Sequence, residues 1–319
     1  MSSGSTSSSS SATSTSKHPL DFLGCGDDLP IVRIADVLLL LVLAAIWGAS
    51  FLFMRVAAPE FGPIPLVAFR MGIAGLALTP VFLRREARAL LRDHWWQLLV
   101  SGVVGSAISF ILLSWASLSL SAGFTSLMNS SVPVFSALIA ASWLGERLRR
   151  EQFVGLALGI LGVLILVWGK LEFHQNGRGW PIIACIVSCL CYGFGASWMK
   201  RHLQGVRPLV ASSGSLLGAG LVLVPFALSR LPETSPGLNS WLSAIALALV
   251  CTALAFVLFF KLIQRSGATV ATSVTFLIPF FGIFWGWLVL DELVTGQMIA
   301  GLAVSLFGTG LITGVIPRK

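Results

Sequence analysis

Charged residues are scarce in this chain of 319 residues. Asp, Glu, Lys and Arg together make up 11% of it, whereas hydrophobic residues make up 56%. A soluble domain carries about 25% charged residues, so the composition excludes a soluble globular protein. Apolar residues are spread over nearly the whole length, which argues against a single anchored domain. We therefore predict an all-α polytopic membrane protein.

The interior of the apolar segments lacks carboxylates and histidines. All 13 acidic residues and all four histidines lie in loops, in the N-terminal tail or at segment ends. Proton-driven carriers commonly use an intramembrane carboxylate or histidine, so the sequence disfavours tight proton coupling. An enzyme would need a general acid, a general base or a metal. We therefore predict no catalytic residue, no metal and no cofactor.

Residues 1–34 form a separate, Ser-rich segment. They contain no apolar run to bury, so we predict a disordered N-terminal tail. No basic residue precedes a run of apolar ones, and the segment therefore lacks the pattern of a secretory signal.

Apolar runs of roughly twenty residues follow, which is the length that a helix needs to cross the hydrocarbon core. Pro, Gly or charged clusters separate these runs. We predict ten membrane helices, at about residues 37–57, 64–83, 96–116, 123–143, 152–169, 181–199, 208–229, 241–260, 269–290 and 296–316.

The distribution of basic residues predicts the orientation. Ten spans place both termini on one side, and 16 of the 21 Lys and Arg residues lie in segments on that side. Only Lys170, Arg178 and Arg230 fall on the other side. Because cytoplasmic loops are enriched in Lys and Arg, we predict that both termini are cytoplasmic. The net charge of +8 is then an orientation signal, and we predict no nucleic-acid partner.

The two halves of the chain repeat each other. A shift of about 146 residues aligns these pairs: Trp47 with Tyr192, Pro133 with Pro279, Glu146 with Glu292, Gly155 with Gly301, and Gly162 with Gly308. A series at nearly constant offset indicates duplication. Each half holds five predicted spans, an odd number, so the second half is expected to insert upside down. Inverted repeats are typical of transporters with a site near mid-membrane.

Several short segments carry a family pattern. They are Trp47-Gly48-Ala49-Ser50-Phe51 with Arg55, Phe69-Arg70, residues 122–133, Leu144-Gly145-Glu146-Arg147, and residues 266–292. With these segments the chain resembles EamA-type members of the drug/metabolite transporter superfamily. The resemblance implies inverted five-helix repeats at 36–169 and 180–316. It also implies movement, often export, of small organic metabolites such as amino acids.

Arg55 and Arg70 are the two charges inside predicted spans. A charge there costs roughly 2.5–3.5 kcal/mol on insertion scales, so both are candidates for binding a carboxylate or phosphate of a solute. Alternatively, the two arginine side chains reach the membrane interface or bind carbonyls at helix ends.

Pro133 and Pro279 are predicted to bend or break their helices, because proline removes a backbone hydrogen bond. Asn129 and Thr275 lie four residues before them and are candidate polar contacts. Trp47, Trp115 and Tyr192 are candidate apolar contacts. The alternatives are static kinks satisfied by Ser and Thr side chains, and interface or packing roles for the aromatic residues.

The function predicted from these patterns is transport, by alternating access, of a small-molecule metabolite through a cavity between the repeats. The expected location is the inner or plasma membrane, with the lipid bilayer as surroundings. Two alternatives remain, a membrane-embedded lipid-modifying enzyme and a structural membrane subunit.

Overall fold

The protein is helical throughout the part that the computed structural model describes, namely Met1 and residues 34–146, 148–173 and 177–313. The predicted disordered tail, residues 1–34, lies outside that part except for its two end residues. The α-helices are α1 Ile34–Phe61, α2 Pro63–Ala77, α3 Arg85–Asp93, α4 Trp95–Val100, α5 Ser109–Ala116, α6 Ala122–Asn129, α7 Val132–Trp143, α8 Arg150–Val167, α9 Gly179–His202, α10 Pro208–Leu228, α11 Leu238–Ala248, α12 Ala255–Thr272, α13 Val274–Leu290 and α14 Gly296–Thr313.

Nine continuous helical stretches in the described ranges are long and apolar enough to cross a membrane. The predicted second span, 64–83, differs from the others. Its α-helix, Pro63–Ala77, has 15 residues, which is about 23 Å of helix. Pro80 follows in a short 3-10 helix, Thr79–Leu83. The chain is thus a multi-pass membrane protein, and the total of ten spans stays a prediction.

Two stretches of π-helix interrupt long spans. Ser101–Ile108 lies between α4 and α5, and Leu249–Leu254 lies between α11 and α12. A shift of 146 residues places the second stretch inside the first. Hydropathy does not predict such wider turns, which often accompany functional sites.

The predicted proline positions differ in their effect. Pro133 stands in the first turn of α7, directly after the break that ends α6 at Asn129. Pro279 lies inside α13, which continues through it. The nearest break on that side is at Ser273, between α12 and α13, and Gly267, whose φ is 84°, interrupts α12 farther upstream. Glycine tolerates this left-handed conformation because it has no Cβ.

Helices of the first half pack against helices of the second. α8 packs along α14, α2 along α10, α1 along α13, and α9 against α7. The α8–α14 contact depends on small residues, because a Cβ on Gly162 would overlap Ser305 and one on Gly308 would meet the backbone of Gly155. Small residues of this kind let membrane helices approach closely.

The two ends of the helix bundle differ in charge. One end, which we call the basic end, carries Arg84, Arg207 and Arg265 and the ion pairs Arg207–Glu86 (2.9 Å) and Arg265–Asp36 (3.0 Å). The opposite end carries the loops at 168–173, 230–237 and 291–295.

Candidate functional site

A cavity of about 280 Å³ lies inside the bundle, enclosed by residues from both halves of the chain. Helices α1, α2, α5, α7, α9, α12 and α13 contribute to its wall, together with the end of α6, the α6–α7 break and the second π-helical stretch. Seven of the residues singled out in the sequence line it: Trp47, Arg70, Asn129, Pro133, Tyr192, Thr275 and Pro279.

Arg70 is the charged residue of this wall. It leaves α2 toward the interior and is only 4% exposed. Its Nε donates a hydrogen bond to Thr252 Oγ1 at 2.9 Å, and its guanidinium carbon lies 3.8 Å from the centre of the Phe110 ring. Within the described residues, no carboxylate pairs with it. The cavity therefore contains a buried positive charge that the surrounding side chains do not neutralise.

Two aromatic pairs form apolar walls. Trp47 meets Phe256 edge-on with ring centres 6.4 Å apart, and Tyr192 meets Phe110 edge-on at 5.9 Å. The shift of about 146 residues relates one pair to the other. Such geometry places the edge of one ring against the face of the next, which is favourable for aromatic pairs. The cavity can thus hold an apolar body beside the guanidinium.

Hydrogen-bond acceptors gather near the two prolines. Asn129 Oδ1 is buried and has no hydrogen-bond partner in the described part of the chain. Pro133 has no amide hydrogen to donate to the Asn129 carbonyl, and Pro279 has none for the Thr275 carbonyl. The Thr275 hydroxyl donates to the Thr272 carbonyl at 2.9 Å. These groups are hydrogen-bond acceptors at the cavity wall.

Two predicted site residues lie elsewhere. Arg55 points to the opposite end of the bundle, where its Nη1 donates to the Ser117 carbonyl. This contact matches the alternative of a helix-end carbonyl. Trp115 is 41% exposed and is not among the cavity-lining residues.

Sequence reasoning missed Thr252, Phe110 and Phe256. Thr252 lies in the second π-helical stretch, and its hydroxyl also donates to the Leu247 carbonyl at 2.7 Å. Its lone pairs are thereby turned toward Arg70. A threonine in an apolar span carries no signal of its own. The two phenylalanines lie 146 residues apart, so a comparison of the repeats could have found them.

The described ranges contain no cluster of three or more His, Cys, Asp or Glu side chains that could hold a metal ion. Cys185, Cys189, Cys191 and Cys251 are free thiols.

Comparison of the sequence with models of known protein families shows a match to a transporter family. The family model described as the EamA-like transporter family matches residues 35–168 and again residues 179–314. The predicted resemblance to this family is confirmed.

Individual relatives are similar over most of their length. The uncharacterized transporter YvbV of Bacillus subtilis is 28% identical over 86% of this chain and 89% of its own. A probable terminal-alkyne amino-acid exporter of Streptantibioticus cattleyicolor is 26% identical over 88% of this chain and 94% of its own. A solved crystal structure, 19% identical, superposes with a TM-score of 0.63 over 89% of this chain and 98% of the other, which establishes the fold alone.

Proposed function

This chain belongs to the EamA-like transporter family, and from this premise we propose that it carries small organic solutes with a carboxylate group across the inner or plasma membrane. The central cavity would bind the solute, and alternating access would move it. The names of the relatives favour transport over a membrane-embedded enzyme or a structural subunit.

The observation that carries this proposal is the unneutralised guanidinium of Arg70. A buried charge is expensive unless it is paired. Thr252 and Phe110 support the cation but add no negative charge. A carboxylate is the complementary group, because a guanidinium binds it through two parallel charge-assisted hydrogen bonds. Trp47 and Tyr192 would pack against the apolar part of the solute.

Inverted repeats would provide the alternating access. The equivalent packing of α1 on α13 and of α9 on α7 supports two related halves. So do Gly145 and Asp291, 146 residues apart, whose φ values of 68° and 52° both lie in the left-handed region. We propose ten membrane helices in which one repeat rocks against the other around the cavity.

The proposal also specifies the orientation of the protein in the membrane and the direction of transport. The basic end would face the cytoplasm, because Lys and Arg accumulate in cytoplasmic loops, and both termini would lie there. The relative named as an amino-acid exporter favours export of amino acids or related carboxylates. The residues that line the cavity include no carboxylate and no histidine. Facilitated movement down a solute gradient therefore requires the fewest assumptions.

A flux assay tests the proposal. The full chain would be reconstituted in liposomes loaded with a panel of amino acids and simple carboxylates, with and without a proton gradient. We expect flux of at least one panel member that Arg70→Gln abolishes and that Arg70→Lys retains in part. Arg230→Gln is the control, because Arg230 is an exposed cation in a loop of the opposite end.

The results separate the parts of the proposal. Flux that Arg70→Gln leaves unchanged would remove Arg70 from the binding site. Flux that follows the proton gradient would overturn facilitated transport. No flux for any carboxylate would overturn the solute class.

A further inference from the structure

A second cleft, with a volume of about 830 Å³, opens at the basic end of the bundle. Its walls come from the 3-10 helix Thr79–Leu83, from α3, from the start of α10 and from α12. Arg84 and Arg207 line it, and Gln264 lines it from α12. The cleft is thus open, wide and basic.

One face of α12 connects this cleft with the central cavity. Phe256 lines the cavity, whereas Phe260 and Gln264 line the cleft. The three residues are spaced four apart and therefore lie on the same side of the helix. The rings of Phe256 and Phe260 are stacked, with centres 6.1 Å apart and planes 12° apart. An aromatic pair thus stands between the two spaces.

The charge at the mouth of the cleft is only partly compensated. Arg207 pairs with Glu86 at 2.9 Å, but their side chains are 56% and 74% exposed. An ion pair this exposed contributes little, typically ~0.2–1 kcal/mol. Arg84 is exposed and forms no ion pair with the rest of the described chain. A carboxylate that enters the cleft could therefore bind Arg84 and compete with Glu86 for Arg207.

We propose that this cleft is an antechamber that binds the carboxylate of a solute before the solute passes Phe260 and reaches Arg70. The inference rests on the proposed function, because it assumes a carboxylate-bearing solute. It adds a binding site, formed by Arg84 and Arg207, and a partition, formed by Phe260. Two basic groups beside a low-dielectric wall raise the local concentration of anions, and Glu86 moderates that attraction.

Direct binding tests the site independently of transport. Para-fluorobenzoate would be titrated against the full chain in phosphatidylcholine nanodiscs, and its binding would be followed by fluorine NMR. We expect the binding curve to contain two saturable components, one from the central site and one from the outer site. The absence of anionic lipid means that no lipid headgroup carrying a net negative charge competes. Neutral para-fluorobenzamide is the control ligand.

The variants have opposite expected effects. Arg84→Gln and Arg207→Gln should each weaken the outer component by about two- to fivefold. Glu86→Gln should strengthen it by a similar factor, because it releases Arg207. Arg92→Gln is the matched control, since Arg92 is exposed on α3 but outside the cleft lining, and it should change nothing. High salt should reduce the differences, because the groups are exposed.

Failure of this inference is distinguishable from failure of the proposed function. If Arg70→Gln abolishes carboxylate flux while Arg84→Gln, Arg207→Gln and Glu86→Gln leave the binding curve unchanged, the antechamber is overturned and the central site stands. An outer component that para-fluorobenzamide reproduces, or no component at all, would also overturn it. Phe260→Trp should slow flux without weakening the outer component, and unaltered flux would remove the partition.

Discussion

The Glu292 carboxylate accepts a hydrogen bond from the backbone amide of Ala122 at 2.7 Å, joining two residues from different halves of the chain. Its second oxygen accepts one from Gly123 at 3.0 Å. Both amides belong to the first turn of α6, where backbone donors have no partner within the helix and the helix dipole favours a negative charge. Glu292 therefore ties the start of α6 to the loop that follows α13, at the end opposite the basic one.

Glu292→Gln should destabilise the protein, because the amide side chain keeps one acceptor and loses the charge. Lost helix caps typically cost ~1 kcal/mol and hydrogen bonds to charged groups ~1.5–3 kcal/mol. We expect a lower Tm of thermal unfolding in detergent. Glu233→Gln, in an exposed loop of the same end, is the control. Equal Tm values for the two variants would contradict a stabilising role for this cap.

Thr252 should act as a positioning residue for Arg70. Thr252→Val keeps the shape of the side chain but removes the oxygen that accepts from Arg70 Nε. A hydrogen bond to a charged group is worth roughly 1.5–3 kcal/mol, so KM for a transported carboxylate should rise by about tenfold or more, with a smaller change in maximal rate. Thr79→Val, whose hydroxyl donates to Leu76 at an exposed site, should leave KM unchanged. A fall in maximal rate alone would argue for a structural role.

Pro279→Ala should impair transport without impairing stability. The substitution supplies an amide that can bond the Thr275 carbonyl, so the helix gains a hydrogen bond and the cavity loses an acceptor. Initial flux rate and Tm would be measured together. Pro225→Ala is the matched control, because Pro225 also lies inside a helix but does not line the cavity. Equal flux rates in the two variants would refute a role for the Thr275 carbonyl.

Lys170 should make stability depend on pH above neutrality. Partial burial and, secondly, the neighbouring Arg178 lower the pKa of its ammonium group below the ordinary value. The ammonium lies 4.6 Å from the centre of the Phe124 ring. Because the folded-state pKa is below the unfolded one, the folded protein resists protonation of Lys170. This penalty is fully present below the folded pKa and disappears as pH rises to the unfolded pKa.

The comparison with Lys170→Met measures this contribution. The Tm of the unaltered protein minus the Tm of the variant should increase as pH rises toward about 10.5, the ordinary pKa of lysine. Other titrating groups affect both proteins equally. A difference that stays constant or decreases with pH would show that the pKa of Lys170 is not lowered.

Some of the cavity residues could be predicted from the sequence and others could not. Arg70 and Tyr192 stand out because a charge and the single tyrosine are conspicuous in apolar spans. Arg55 is equally conspicuous, yet it binds the Ser117 carbonyl. The sequence assigns both arginines a similar insertion cost, but Arg70 points into the cavity and is buried, whereas Arg55 points to the opposite end of the bundle and is half-buried. Thr252 is inconspicuous because its importance comes from its distance to Arg70.

The sequence by itself determined the membrane class and most helix limits, because apolar run length and breaks at glycine, proline and charge are local properties. Family membership also followed from local segments, and the family match confirmed it. Only the tertiary structure decided which residues share a cavity, that Glu292 caps α6, and that Phe260 stacks on Phe256. These relationships depend on the rotation of each helix about its axis and on the π-helical turns. Packing of the whole bundle determines both.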